Sequence, residues 1–289
     1  MSVCIKDNIQ NMNLVIGCTV GCDYCYARNN VKRWHTIPDF SKPEFFEGKL
    51  KMMDKARPQN FLLTGMSDLA GWKEEWREEV FEKIRKNPQH QFLFLSKRPD
   101  LLDFETDLEN AWFGVTVTRR SELWRIEALR NHVRAKHYHV TFEPLFDDPG
   151  EVDLSGIDWI VVGTMTGAQS RKIRTEPEWA WSLTDQAHQR NIPVFMKEDL
   201  EPIIGDENMV QEFPEAFERY WRYSGHGRSE NGRYPDKGCG NQKYHDKVKP
   251  AGGRVFCESV CRMHARMQVL LRFFHEKVYR TYGRVGNIS

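Results

Sequence analysis

The sequence predicts an α/β fold, a closed or partly open parallel β/α barrel, on three observations. Seven short apolar runs are spread over residues 14–196, each set off from the next by a helical or irregular segment. No tight hairpin signal joins consecutive runs, so neighbouring strands must be reached by crossovers, which makes the sheet parallel. The runs are almost continuously apolar rather than alternating, which suits strands covered on both faces. A doubly wound open sheet is the alternative arrangement of the same units.

Taken in order, Leu14-Val-Ile16 reads as the first strand and leads into a cysteine loop. The polar, aromatic stretch from Arg28 to Phe46, with Pro38 and Pro43, reads as loop or short helix, and Phe45 to Ala56 as helical. Asn60-Phe-Leu-Leu-Thr64 is the second strand. Trp72 to Lys86 places Trp72, Trp76, Val80, Phe81 and Ile84 at helical spacing, and Asn87-Pro88 stops it. Gln91 to Ser96 is a strand, Asp100 to Asn110 a helix, and Trp112 to Val117 a strand. Ser121 to Asn131 is a helix with Ser121 as its cap. Strands at His137–Phe142 and Asp158–Gly163 follow, then a helix from Pro177 to Arg190 with proline in its first turn, then a strand at Ile192–Met196.

The length, 289 residues, is enough for a large core. Hydrophobic content of 40% and charged content of 29% are those of a globular protein rather than a disordered one. No run of eighteen apolar residues marks a membrane span. The N-terminus, Met1-Ser-Val-Cys-Ile-Lys-Asp, lacks the charged-then-apolar order of a signal peptide, so a cytoplasmic location is expected. Seven cysteines in a reducing compartment point to metal binding or chemistry rather than disulfides. Charge is uneven: residues 226–289 hold 13 Lys+Arg against 5 Asp+Glu, a net of +8, and residues 1–225 hold 29 against 36, a net of −7. A basic end on an acidic body suits either a polyanion such as nucleic acid or the protein's own acidic surface.

The chemistry concentrates in Gly17-Cys-Thr-Val-Gly-Cys-Asp-Tyr-Cys-Tyr26, where Cys18, Cys22 and Cys25 stand at Cys-x3-Cys-x2-Cys spacing. A [4Fe–4S] cube normally takes four thiolates. Three leave one iron open to a small molecule, as a catalytic metal keeps an open position. Zinc with His35, or three unrelated buried thiols, are the other readings. The predicted strand ends offer further polar groups: Thr64, Gly65, Ser67 and Asp68; Ser96, Lys97 and Arg98; Thr118, Arg119 and Arg120; Glu143; Thr164 and Thr166; Lys197, Glu198 and Asp199. In a β/α barrel these would all surround the active end.

Cys18, Cys22 and Cys25, with Tyr24 before the last of them, resemble the cysteine motif of the radical S-adenosylmethionine (radical SAM) superfamily. The resemblance implies a partial barrel, usually of six core strands, with the seventh strand here an edge addition. It implies that S-adenosyl-L-methionine binds the open iron and is cleaved to a 5′-deoxyadenosyl radical acting on a substrate, with an electron donor such as flavodoxin or ferredoxin. Only the glycine of the superfamily's Gly-Gly-Glu-like motif can be matched, at Gly65 within Thr64-Gly65-Met66. Gly65 is then a candidate near the methionine ammonium, Arg119 for its carboxylate, and Ser67 a further candidate for binding the cofactor. Glu143, Gly163 and Thr164 are candidates for ribose and adenine. A closer resemblance rests on Met66-Ser-Asp-Leu69, Leu95-Ser-Lys-Arg-Pro99, Gly114-Val-Thr-Val117, Glu143-Pro-Leu145 and Trp159-Ile-Val-Val-Gly163 in that order. It is to a phage- and mobile-element-associated radical-SAM-like family, similar to radical SAM mobile-pair proteins, which implies a paired partner protein but no substrate.

Beyond residue 200 the alternation fails. Residues 1–200 are expected to form the barrel, and residues 201–289 an extension. Within it Cys239, Cys257 and Cys261 suit an auxiliary [4Fe–4S] cluster, a zinc site with His245 or His264, or plain packing. Glu258 to Tyr282 reads as a basic amphipathic helix. The function expected is a radical SAM enzyme. Its rivals are a member acting on nucleic acid in the manner of photoproduct lyases, and a non-catalytic binding protein stabilised by iron–sulfur or zinc.

Overall fold

The computed structural model describes residues 2–166, 170 and 175–218. Cys239, Cys257, Cys261 and the basic helix expected over 258–282 lie outside the described residues.

Chain order is β1 (Ile9–Asn11), β2 (Val15–Ile16), α1 (Tyr26–Trp34), β3 (Glu44–Phe45), β4 (Asn60–Leu62), α2 (Glu74–Arg85), β5 (Gln91–Ser96), β6 (Phe104–Glu105) and β7 (Ala111–Thr116), followed by α3 (Trp124–His132), β8 (Val133–Arg134), β9 (His137–Phe142), β10 (Trp159–Val162), α4 (Pro177–His188), β11 (Val194–Met196) and α5 (Glu201–Ile204). Seven of the strands make one sheet in the order β1-β4-β5-β7-β9-β10-β11, every pair parallel. Spatial order follows chain order throughout. A doubly wound sheet reverses direction part-way, so that alternative is excluded. The sheet is a partial barrel, as the sequence predicts.

Side-chain alternation separates its two faces. Phe61, Phe92, Phe94, Phe113, Val115, Val140, Phe142, Ile160 and Val194 point outward into a core shared with Val80 and Ile84 of α2, Ile126 and Leu129 of α3, and Leu183 and Ala187 of α4. The inward residues Ile9, Leu93, Trp112, Trp159, Val161 and Phe195 form a second cluster with Phe213 and Phe217. Residues from β1 and β11, the two edges, meet the same plug, so the sheet curls around it. Asn60 Nδ2 donates to the Phe217 carbonyl at 3.1 Å and Trp159 Nε1 to the Glu212 carbonyl at 3.1 Å, fixing the plug in place. Val3 N–H donates to Gln211 Oε1 at 2.6 Å and Cys4 Sγ–H to Glu198 Oε1 at 2.9 Å, so the N-terminus is tied to the segment beyond β11.

Three local expectations are corrected. Leu14–Ile16 is not the first sheet strand. Asn13 adopts a left-handed backbone, φ 47°, which breaks the strand after Asn11 and turns β2 into an antiparallel ribbon with β3. Asp100–Asn110 is not a helix: a 3₁₀ turn at Pro99–Leu101 is followed by β6, which pairs with β8. Leu102 and Phe104, two apart, anchor an extended segment, and Phe104 packs against Phe81 and Phe113. Ser121 does not cap α3, which is preceded by a 3₁₀ turn at Arg120–Glu122. The helical expectation over 45–56 is met at residues 47–54, which are a 3₁₀ helix. No described helix is long and apolar enough to cross a membrane.

Candidate active site at the barrel mouth

The cysteine loop follows β1 at the C-terminal end of the sheet, the active end of parallel barrels. Gly17 opens it with φ 113°, and a Cβ there would stand 2.7 Å from Pro43 Cα, so only glycine permits this entry. Gly17 N–H donates to the Met66 carbonyl at 3.1 Å and Cys18 N–H to the Phe40 carbonyl at 2.7 Å, pinning the loop to the segment after β4 and to the stretch between α1 and β3. Cys25 is the N-cap of α1, and its sulfur accepts from Arg28 N–H at 3.4 Å. The Cys18 sulfur accepts from Val20 N–H at 3.5 Å. All three thiols are half-buried. Burial pushes Cys18 up to about 11, and the charges of Asp68, Cys22 and Cys25 add to that. Cys22 is also raised, by burial first, with Lys97 opposing.

Cys25 N–H donates to the Cys22 carbonyl at 3.3 Å, so the loop turns back on itself between these two cysteines. Backbone N–H groups aimed at sulfur stabilise thiolate and cluster charge. Among the described residues no three His, Cys, Asp or Glu side chains gather about a single ion. In a cube each thiolate ligates a different iron, so the sulfurs need not converge on one point. The donor set fits such a cube.

One wall of the mouth is built by Asp68 and Lys97. Asp68 accepts from Ser96 Oγ at 2.6 Å, Lys97 N–H at 2.7 Å and Ala70 N–H at 3.0 Å, which locks the β4 loop to the end of β5. Burial raises its carboxyl above the usual range despite those bonds. The Lys97 ammonium sits 5.5 Å from the centroid of Tyr24, and burial pulls its pKa down. Tyr24 meets Phe146 edge-on at 5.2 Å, and the Arg119 guanidinium lies 4.7 Å from the same Phe146 ring.

The opposite wall is formed by the ends of β9, β10 and β11. Lys197 pairs with Glu143 and lies 4.0 Å from Asp199. Burial would lower Lys197, but the two carboxylates outweigh it and raise it. Asp199 is pushed up to about 6, mainly by burial, with Lys197 opposing. Gly163 makes this pairing fit: a Cβ on it would stand 3.1 Å from both Glu143 Cγ and Lys197 Cδ. The Thr175 hydroxyl bridges the Leu145 carbonyl and the Thr164 hydroxyl at 2.8 Å each. Tyr26 closes the gap between the walls, its hydroxyl donating to the Gly65 carbonyl at 2.6 Å. A Cβ on Gly65 would stand 2.8 Å from Asn13 Oδ1, an oxygen that is buried with no donor among the described residues.

Of the residues singled out in the sequence, Glu143, Gly163 and Thr164 come together on one wall, and Gly65 lies across from them beside Tyr26. Ser67 is turned away, its hydroxyl accepting from Trp72 Nε1 at 2.9 Å. Arg119 stacks on Phe146 at the rim. Asn13, Tyr26, Lys97 and Lys197 were not assigned site roles from sequence. Asn13 could have been flagged as a polar residue breaking an apolar run. Lys197 and Lys97 stand at strand ends, which is the only signal they carry.

Fold and site together define a class: a parallel β/α half-barrel protein with a three-thiol loop at its mouth. Within that class the chain belongs to the family described as "Protein of unknown function (DUF5131)", which matches residues 5–227. No curated protein sequence matches it. Among solved structures, spore photoproduct lyase complexed with dinucleoside spore photoproduct aligns at 14% identity and a TM-score of 0.41, covering 68% of this chain and 74% of that one. A single-site mutant of the same enzyme aligns at 13% identity and 0.42 over the same shares. A double mutant with bound AdoMet and dinucleoside spore photoproduct gives 14% and 0.41, again with 68% and 74% covered.

Proposed function

We propose that this protein is a radical SAM enzyme, with Cys18, Cys22 and Cys25 holding a [4Fe–4S] cluster and S-adenosyl-L-methionine lying between the two walls of the mouth. The observation that carries the reading is the thiol loop: three half-buried cysteines at the C-terminal end of a parallel half-barrel, two of them already receiving backbone N–H bonds. When bound, the cluster supplies the electron for reductive cleavage of SAM. The chain's own residues bind and orient. The Gly65 carbonyl and Asn13 Oδ1 are acceptors suited to an ammonium group. Glu143, held in place by its pairing with Lys197, offers carboxylate oxygens that can accept hydrogen bonds from ribose hydroxyls. Gly163 and Thr164 offer backbone beside it, and Arg119 offers a guanidinium for a carboxylate once it leaves Phe146. Ser67 contributes by fixing Trp72 and the β4 loop.

The finer parts of the reading belong to the same proposal. They are kinship with the phage- and mobile-element-associated radical-SAM-like proteins, a paired partner protein, a flavodoxin- or ferredoxin-like electron donor and a cytoplasmic setting. A second [4Fe–4S] cluster or zinc on Cys239, Cys257 and Cys261, within an extension over 201–289, completes it.

Iron content tests the cysteine assignment. After anaerobic reconstitution, the wild-type chain should hold about four more irons than the Cys18→Ala/Cys22→Ala/Cys25→Ala variant. Equal iron in the two, with the variant folded by circular dichroism, overturns it.

A further inference from the structure

Helix α1 leaves the thiol loop with an outer face that the proposed chemistry does not use. Its sequence, Tyr-Ala-Arg-Asn-Asn-Val-Lys-Arg-Trp, buries only Ala27 and Val31. Tyr26 and Trp34 are 58% and 68% exposed, and Trp34 is a large apolar surface to leave in water. Tyr26, Asn30 and Trp34 make one i, i+4, i+8 row. The helix carries Arg28, Lys32 and Arg33 and no acidic residue. None of these three cations has a carboxylate partner among the described residues, and the Arg33 guanidinium instead lies 5.0 Å from the Trp34 ring centroid.

We propose that this face of α1 is a docking platform for single-stranded nucleic acid, running from Trp34 to the barrel mouth at Tyr26. Of the three cations only Arg33 flanks the row, since Arg28 and Lys32 lie well round the helix from it; exposed rings with a cation beside them are what a single strand needs, a face for a base to stack on and a charge for a phosphate. From Tyr26 to Trp34 is about 12 Å along the helix axis. The Tyr26 hydroxyl contacts the Gly65 carbonyl, so a strand lying on this row ends at the mouth.

Other occupants fit less well. The protein's own C-terminal segment, net +8 over residues 226–289, would be repelled by this helix. A membrane would require a wider apolar face than two rings among asparagines. An acidic peptide would use the cations but leave the rings idle.

The test is binding of a fluorescein-labelled single-stranded 20-mer to the full chain, by anisotropy across a salt series, with no SAM present. It therefore reads nothing of the cluster, and its failure would leave the enzyme reading standing. Trp34→Ala should weaken binding about five- to a hundredfold, the range of one lost stacking contact. Trp34→Phe, which keeps an aromatic face, should stay within about threefold of wild type. Arg33→Glu should flatten the log–log salt slope by about 0.7, the loss of one phosphate contact, and Lys32→Glu, on the far side of the helix, by less. Polyglutamate of similar length should not displace the oligonucleotide. Three results overturn the proposal: no binding at low salt, binding unchanged in both Trp34→Ala and Arg33→Glu, or displacement by polyglutamate as effective as by unlabelled oligonucleotide.

Discussion

At the scale of single residues, His139 shows how tightly the inner face of the sheet is packed. It is enclosed on β9, with Nε2 3.0 Å from the Phe94 carbonyl oxygen and its ring facing Gly114, where a Cβ would stand 2.5 Å away. Burial drives its pKa down to about 4, only partly opposed by the Phe94 and Trp112 backbone. The ring is therefore neutral in the fold and titrates near 6.5 in the unfolded chain. Protons bind the unfolded state first, so stability falls as pH drops from about 6.5 and levels off below about 4. The full effect is about 3 kcal/mol. Urea unfolding between pH 7 and 4 should show this slope in wild type and a shallower one in His139→Gln. Equal slopes would mean that His139 does not carry the acid sensitivity. His90, lowered by burial as well, contributes in the same direction and remains in both proteins.

At the scale of elements, the apolar runs made six of the seven sheet strands legible, because a strand buried on both faces has to be apolar along its length. The first strand was misplaced by one turn of chain. Ile9-Gln-Asn11 is polar at its centre and too short to stand out, while Leu14–Ile16 is wholly apolar but stands after Asn13, whose left-handed backbone takes it out of the sheet. The plug was illegible for a different reason. Phe213 and Phe217 lie after the alternation ends, and nothing local says that they fill the inside of the barrel. Phe217 is fully buried, 4.7 Å from Trp112 and 5.3 Å from Trp159 by ring centroids. Phe217→Ala should cost about 3–5 kcal/mol, the range for a buried phenylalanine, read as a lower urea midpoint. A loss below about 1 kcal/mol would mean that the plug is dispensable and that the inner face is closed by something else.

At the scale of the whole molecule, a parallel half-barrel brings to one end groups that are far apart in sequence. Cys18, Asp68, Lys97, Glu143 and Lys197 come from the segments after five different strands. Their type and position at strand ends could be read from the sequence. Their pairing could not: that Lys197 reaches Glu143, that Ser67 turns to Trp72, or that Tyr26 bridges to Gly65 depends on the curl of the sheet and on Gly163 having no side chain. The cysteine spacing was the most legible part of the site, since three thiols in eight residues restrict the chemistry before any fold is known.

The most direct measurement of the central claim is the release of 5′-deoxyadenosine from SAM by the anaerobically reconstituted, dithionite-reduced full chain. The account predicts 5′-deoxyadenosine and methionine from wild type and neither from the Cys18→Ala/Cys22→Ala/Cys25→Ala variant. A wild-type protein that is folded and loaded with about four irons, yet leaves SAM intact under reduction, would contradict it.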